Sequence, residues 1–257
     1  MKLNKIYNED CLEGMKRIPD GSVDMILCDL PYGTTACKWD TIIPFEPLWE
    51  QYERVIKDNG AIVLTASQPF TSALVMSNPK LFKREWIWEK TIAPNFLTLS
   101  KEPAKKHESV LVFYKKQPTY NPQMEVGEPY KDTKRKRSTG EVTGNEYMDY
   151  LKKETYKKEI NNKGTRYPST IQKFANPNNK NFHPTQKPVA LFEYLIKTYT
   201  NEGETVLDNC MGSGTTAIAC INTNRNYIGF ELDEEYCELS NNRIKEFISE
   251  KEVLTNK

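Results

Sequence analysis

Two apolar runs in the first quarter of the chain, Val23-Asp24-Met25-Ile26-Leu27-Cys28 and Ala61-Ile62-Val63-Leu64-Thr65, are nearly continuous rather than alternating. A strand covered on both faces reads this way, as in a parallel sheet packed between helices. Around them the pattern predicts a short strand at 6–8, a helical turn or two at 12–17 and a helix at 45–56. Asp58-Asn59-Gly60 supplies turn chemistry before the second run. A helix with proline in its first turn follows at 69–77, then strands at 84–90 and 109–114, at the spacing of repeated β-α units.

Sustained apolar periodicity then lapses. Residues 115–182 are polar and rich in Asn, Thr, Pro and Tyr, which predicts an inserted lobe within a core made of 1–114 and 183–257. Regular patterning resumes as a helix at 189–199, a strand at 205–207, a helix at 215–221, a strand at 226–230 and a helix at 234–248. No internal repeat is present.

Charge sharpens that division. The chain carries 36 Lys+Arg against 35 Asp+Glu, a net +1, but residues 115–187 hold 16 against 8, leaving 20 against 27 elsewhere. A basic segment on an acidic body suits a polyanion-binding face. Lys134, Arg135, Lys136 and Arg137 form its densest run. Tyr120, Tyr130, Tyr147, Tyr150, Tyr156 and Tyr167 accompany it, more aromatics than a disordered linker usually carries. The six cysteines contain no CxxC pair, so neither a zinc cage nor a disulfide framework is signalled and no metal site is expected. Residues 1–10 lack the apolar stretch of a signal peptide, and no run approaches the ~20 apolar residues that span a bilayer. The expectation is a cytoplasmic protein with no membrane partner.

Candidate chemistry sits at two strand ends. Asp29-Leu30-Pro31-Tyr32 follows the first apolar run. An exocyclic base amine is a poor nucleophile because its lone pair is delocalised into the ring. Two acceptors on its hydrogens, the Asp29 carboxylate and the Leu30 carbonyl, would draw it toward tetrahedral geometry. Pro31 fixes the backbone that aims that carbonyl, and Tyr32 offers a face for an extruded base. Asp208-Asn209-Cys210-Met211-Gly212-Ser213-Gly214-Thr215 follows the strand at 205–207. Its glycines suit close approach of a nucleoside cofactor, and Glu231, ending the next strand, can accept from both ribose hydroxyls. That much fits a dinucleotide or an S-adenosylmethionine fold equally. The Asp29 segment decides for the latter, because hydride transfer gives it no task.

Together with His183-Pro184-Thr185-Gln186-Lys187-Pro188, these segments resemble the DNA amino-methyltransferases of the permuted β class, from about residue 8 to 246. The resemblance implies an α/β, Rossmann-like methyltransferase fold: a mostly parallel seven-stranded sheet flanked by helices, circularly permuted, with an inserted recognition lobe. It implies S-adenosylmethionine as cofactor and double-stranded DNA as substrate, with a homodimer and a cognate restriction endonuclease both compatible. Asp29, Leu30, Pro31 and Tyr32 would be catalytic. Asp10 and Cys11 would lie near the cofactor's adenine. Asp208, Cys210, Met211, Gly212, Ser213, Gly214 and Thr215 would line its methionine end, beside Asp29. Lys187 and Thr185 would meet its carboxylate, Glu231 its ribose, and Lys134–Arg137 the DNA.

Two positions depart from the family pattern, which commonly has proline at Leu30 and Pro-Phe at Asn209-Cys210. Asp rather than Ser at position 29 points, by family tendency, to adenine N6 as the target after base flipping. The alternatives are cytosine N4, or a non-catalytic DNA-binding protein that keeps the fold.

Overall fold

The computed structural model describes residues 1–34, 40–132, 160–177 and 186–255. Strands β1 (Lys5–Asn8), β2 (Val23–Asp29), β3 (Ile56–Ala66), β4 (Phe82–Lys90), β5 (His107–Phe113), β10 (Ile171–Phe174), β11 (Thr205–Asp208) and β12 (Asn226–Glu231) form one sheet. Its order is β1-β12-β11-β2-β3-β5-β4-β10. All neighbours are parallel except β3 with β5 and β5 with β4.

The sheet therefore has eight strands where seven were expected. The extra one is β10, which lies inside the segment expected to be a separate lobe and pairs with β4 from Ile171↔Ile87 to Phe174↔Lys90. Its side chains alternate between exposed and half-buried, as suits an edge strand, so it left no apolar run to detect. The strands at 84–90 and 109–114 are also not successive β-α units: β5 returns antiparallel between β3 and β4. Asp58-Asn59-Gly60 lies within β3, as an excursion of its ladder with β2 between the pairs Val23↔Ile56 and Met25↔Ala61.

Helices α1 (Cys11–Met15), α2 (Phe45–Val55) and α3 (Phe70–Ser77) precede α4 (Val189–Tyr199), α5 (Thr215–Asn222) and α6 (Glu234–Thr255). The alternation of β2 explains the two layers. Met25 and Leu27 pack with Leu191, Leu195, Ala217 and Ile244 of the later helices, whereas Ile26 and Cys28 pack with Met15, Leu48, Tyr52 and Leu74 of the earlier ones. At roughly 1.5–3 kcal/mol per fully buried large aliphatic side chain, this double coverage fixes β2 firmly, and with it the position of Asp29. Trp86 Nε1 donates to Tyr199 OH at 2.8 Å, tying β4 to the end of α4.

The chain falls into two compact units, residues 1–121 with 169–257, and residues 122–168. The second is narrower than the expected 115–182 lobe. Asn121 explains one boundary: its N–H donates to Thr198 O and its amide to Lys197 O and Thr200 O, stapling the chain to the carboxyl end of α4. In the smaller unit β6 (Glu125–Val126) pairs with β9 (Thr165–Arg166), and β7 (Tyr130–Asp132) with β8 (Ile160–Asn162). Arg166 lies over the Tyr130 ring, 4.6 Å from its centroid. Among the described residues no helix is long and apolar enough to cross a membrane.

Candidate active site

Strands β2 and β11 are parallel neighbours, so Asp29 and Asp208 end adjacent central strands at their carboxyl edge. Ligands of open α/β sheets bind at such an edge, where the strand order reverses. A cleft of about 950 Å³ opens there, lined among others by Asp10, Asp29, Tyr32, Lys187, Gly212 and Glu231. Two sequence segments, ending in residues 29 and 208 and so 179 positions apart, thus share one cavity, at the upper end of the size that ordinarily buries a drug-sized ligand.

Asp29 is held in the cleft by three side chains. Its Oδ1 accepts from Tyr32 OH at 2.8 Å and from Thr65 Oγ1; its Oδ2 accepts from Lys187 Nζ at 2.6 Å. A carboxylate offers about four acceptor positions, so one on Oδ2 is left over. Thr65 reaches Asp29 because β2 and β3 pair at Asp29↔Thr65. Burial, then the neighbouring Asp29 charge, pushes the Tyr32 phenol well above its usual range, which keeps it a donor. Phe70 stacks on the Tyr32 ring at 5.2 Å, so one face of the expected stacking surface is already covered. Leu30 turns its side chain into the core. Beyond Tyr32, Asp40 accepts from the N–H groups of Gly33 and Thr34 at 2.8 and 2.9 Å and pins the loop.

Lys187, expected at the cofactor's carboxylate, lines the cleft and donates from Nζ to Asp29 Oδ2. Its Nζ also lies 3.4 Å from Glu108 Oε2, and Glu108 is bonded through Oε1 to Lys90. Lys90, Glu108, Lys187 and Asp29 therefore alternate in sign along one wall. Burial alone would push the Lys187 ammonium down, but the Asp29 and Glu108 carboxylates outweigh it and hold the group above its ordinary value.

The glycine segment is held from beneath. Asp208 Oδ1 accepts from Cys210 N at 3.0 Å and Oδ2 from Thr216 Oγ1, so this carboxylate serves the loop itself. Burial raises its pKa to about 6. Gly212 and Gly214 have φ of +51° and +80°, the left-handed region that favours glycine, and Gly214 is the N-cap of α5. Met211 and Ser213 are buried with Thr215, Met211 against Gly229 and Ser213 bonded to Arg243. The departure at Asn209-Cys210 is compensated: buried Asn209 accepts from Tyr52 OH through Oδ1, and its amide faces the thiols of Cys11 and Cys210 at 3.6 and 3.5 Å.

Glu231 Oε2 accepts from Gly212 N at 2.7 Å and Oε1 from Asp233 N at 2.9 Å, which orients the carboxylate in the cleft with lone pairs to spare. Burial pushes its pKa up, and these N–H bonds pull the other way. Asp10 caps α1 by accepting from Leu12 N at 2.7 Å through Oδ1, while lining the same cleft as Cys11. A carboxylate fit for two hydroxyls, an open left-handed glycine at 212 and this volume suit a nucleoside cofactor, whereas Gly214 is packed against Ser240 and Ile244 and does not line the cleft. Thr185, Lys134, Arg135, Lys136 and Arg137 lie outside the described residues.

Sequence reasoning missed Thr65, Lys90, Glu108, Tyr52 and Thr216. Thr216 belongs to the glycine segment itself; the other four are brought in by strand register or by packing across the sheet, which a linear motif does not display.

The family model for DNA methylases of the N6/N4 type matches residues 23–242. The chain belongs to the N6/N4 DNA methylase family. It is thus a DNA amino-methyltransferase that uses S-adenosylmethionine, with the Asp29 and Gly212 segments both inside the matched region. This methylase is similar to the Type II methyltransferase M.HpaI of Haemophilus parainfluenzae, 26% identical over 93% of this chain and 74% of that protein. In fold it resembles M1.HpyAVI in complex with SAM, with TM-score 0.62 and 24% identity over 93% of this chain and 98% of the other. It also resembles the cytosine-N4-specific PvuII DNA methyltransferase, with TM-score 0.65 and 15% identity over 92% and 84%.

Proposed function

We propose that this methylase acts on the exocyclic N6 amine of adenine in double-stranded DNA, with the base extruded into the cleft. The observation that supports this best is Asp29: a carboxylate at a central strand end, fixed by three side chains, with an acceptor position left on Oδ2. It accepts one amine hydrogen and the Leu30 carbonyl accepts the other, which localises the nitrogen lone pair. Bound S-adenosylmethionine supplies an electrophilic methyl group on a sulfonium. Asp208, through its bonds to Cys210 N and Thr216, shapes the loop for the cofactor's methionine end, and Glu231 binds its ribose hydroxyls.

Correct placement of two reactants lowers a barrier by roughly 7–11 kcal/mol, against a few kcal/mol to extrude the base. Positioning is large enough to dominate, so Asp29 need not be a strong base. The amine becomes acidic only as it gains the methyl group. No cysteine nucleophile is required, and burial pushes the Cys28 thiol up to about 12, where it is inert at neutral pH.

Likeness to Type II methyltransferases supports a role in restriction-modification beside a cognate endonuclease. The test of the base assignment is methylation of unmethylated, mixed-sequence DNA with isotopically labelled S-adenosylmethionine, followed by nucleoside digestion and mass spectrometry. Labelled N6-methyladenine is expected; labelled N4-methylcytosine would overturn the adenine assignment.

A further inference from the structure

Between β4 and β5, residues 91–106 form a loop at the carboxyl end of β4, and Pro94 and Lys105 of this loop line the same cleft as Asp29. Asparagine side chains brace its framework. Asn95 closes the neck, donating to Pro103 O at 3.0 Å and accepting from Lys105 N at 2.9 Å. Asn176 accepts from Ile92 N at 3.1 Å and fastens one leg to the segment after β10. The apolar side chains face outward: Phe96 is 66% exposed and Leu97 84%. A loop tip ordinarily carries polar residues, and here the backbone is braced so that two large apolar side chains stand in solvent at the mouth of the site.

The charges beside the tip point to its occupant. Lys101, Lys105 and Lys106 stand against Glu102 alone in this segment. Cations bind phosphates, but a phosphate gives Phe96 and Leu97 nothing to cover them. An apolar tip flanked by cations matches a base stack flanked by its two backbones. We propose that Phe96 and Leu97 are a wedge that enters the DNA stack beside the target and fills the space the extruded base vacates, while the lysines hold the adjoining phosphates. Ordering of the neck by Asn95 reduces the entropy lost when the wedge inserts. The proposal rests on the base-capture reading of Asp29.

The test separates the two. The parent protein first modifies plasmid DNA with labelled S-adenosylmethionine, and sequencing locates the methylated base. No labelled base at this stage overturns base capture, and the wedge with it. Short duplexes are then made with the target either correctly paired or facing a mismatched base, which is less expensive to extrude. The double variant Phe96→Ser, Leu97→Ser should lose about 10- to 100-fold in kcat/KM on the paired duplex and stay within about threefold of the parent on the mismatched one. Unchanged S-adenosylmethionine binding by calorimetry shows that the variant is folded. Leu97→Phe, which keeps the apolar bulk, should retain activity on both. Equal losses on the two duplexes, or none, would overturn the wedge. Loss of a dimer in sedimentation with equal losses would make the patch an interface between copies instead.

Discussion

Lys187 Nζ lies 2.6 Å from Asp29 Oδ2, joining residues 158 positions apart. A cation from the segment before α4 thus orients the carboxylate that ends β2. Glu108 stands behind it and Lys90 behind Glu108. The Asp29 carboxylate is therefore one member of a charge-balanced row, and its position depends on strands β4 and β5 as well as its own.

Removing the cation leaves two half-buried carboxylates, Asp29 and Glu108, with only Lys90 on the far side of Glu108 to offset them. Lys187→Met should destabilise the protein by about 3–5 kcal/mol at neutral pH, read by urea unfolding. The ammonium is raised in the folded state, so the pair's contribution is fully present below about pH 10.4 and is lost as pH rises through the folded value. A loss under about 1 kcal/mol would show that the pair is solvent-screened.

Thr65→Val keeps the shape at the end of β3 but removes one of the two donors to Asp29 Oδ1. Methyl transfer should fall about 5- to 30-fold, equivalent to roughly 1–2 kcal/mol, with S-adenosylmethionine affinity unchanged. An equal fall in both would place Thr65 in the cofactor site.

Asp208 titrates near 3.9 when unfolded and at about 6 when folded. Between those values the folded state holds a proton the unfolded state has lost, so stability falls as pH rises from about 4 to 6 and then levels off. Asp208→Asn should flatten this slope, changing the difference between the two pH values by about 3 kcal/mol at most. Parallel pH profiles of melting temperature in parent and variant would refute the assignment.

Tyr52→Phe strands the Oδ1 of buried Asn209. The expected loss is about 1–3 kcal/mol of stability, with weaker S-adenosylmethionine binding because Asn209 begins the glycine loop. Loss of stability without weaker binding would show that the loop holds its shape without this bond.

Much of this was legible in the chain because the chemistry sits where apolar runs stop. Val23 to Cys28 and Thr205 to Leu207 announce buried strands, and Asp29 and Asp208 mark their ends. Glycines at 212 and 214 announce a backbone that other residues adopt with strain. What stayed hidden depends on which strand lies beside which. Thr65 is an unremarkable strand residue until β2 and β3 are in register, and β10, alternately exposed and half-buried, reads as loop until it is laid against β4. Lys187 was legible as a functional cation but not as the partner of Asp29, since no local pattern brings the two together. Asp208 was legible as an acid of the cleft, but its bonds to Thr216 and Cys210 N, which shape the glycine loop, were not.

The central claim is that Asp29 holds the target base and not the cofactor. The direct measurement is Asp29→Ala, assayed for label transfer to DNA and, by calorimetry, for S-adenosylmethionine binding. Transfer should vanish while cofactor affinity stays within about threefold of the parent, since the methionine end and ribose are served by the Asp208 loop and Glu231. Retained transfer, or equal loss of transfer and binding in a variant shown by circular dichroism to be folded, would contradict it.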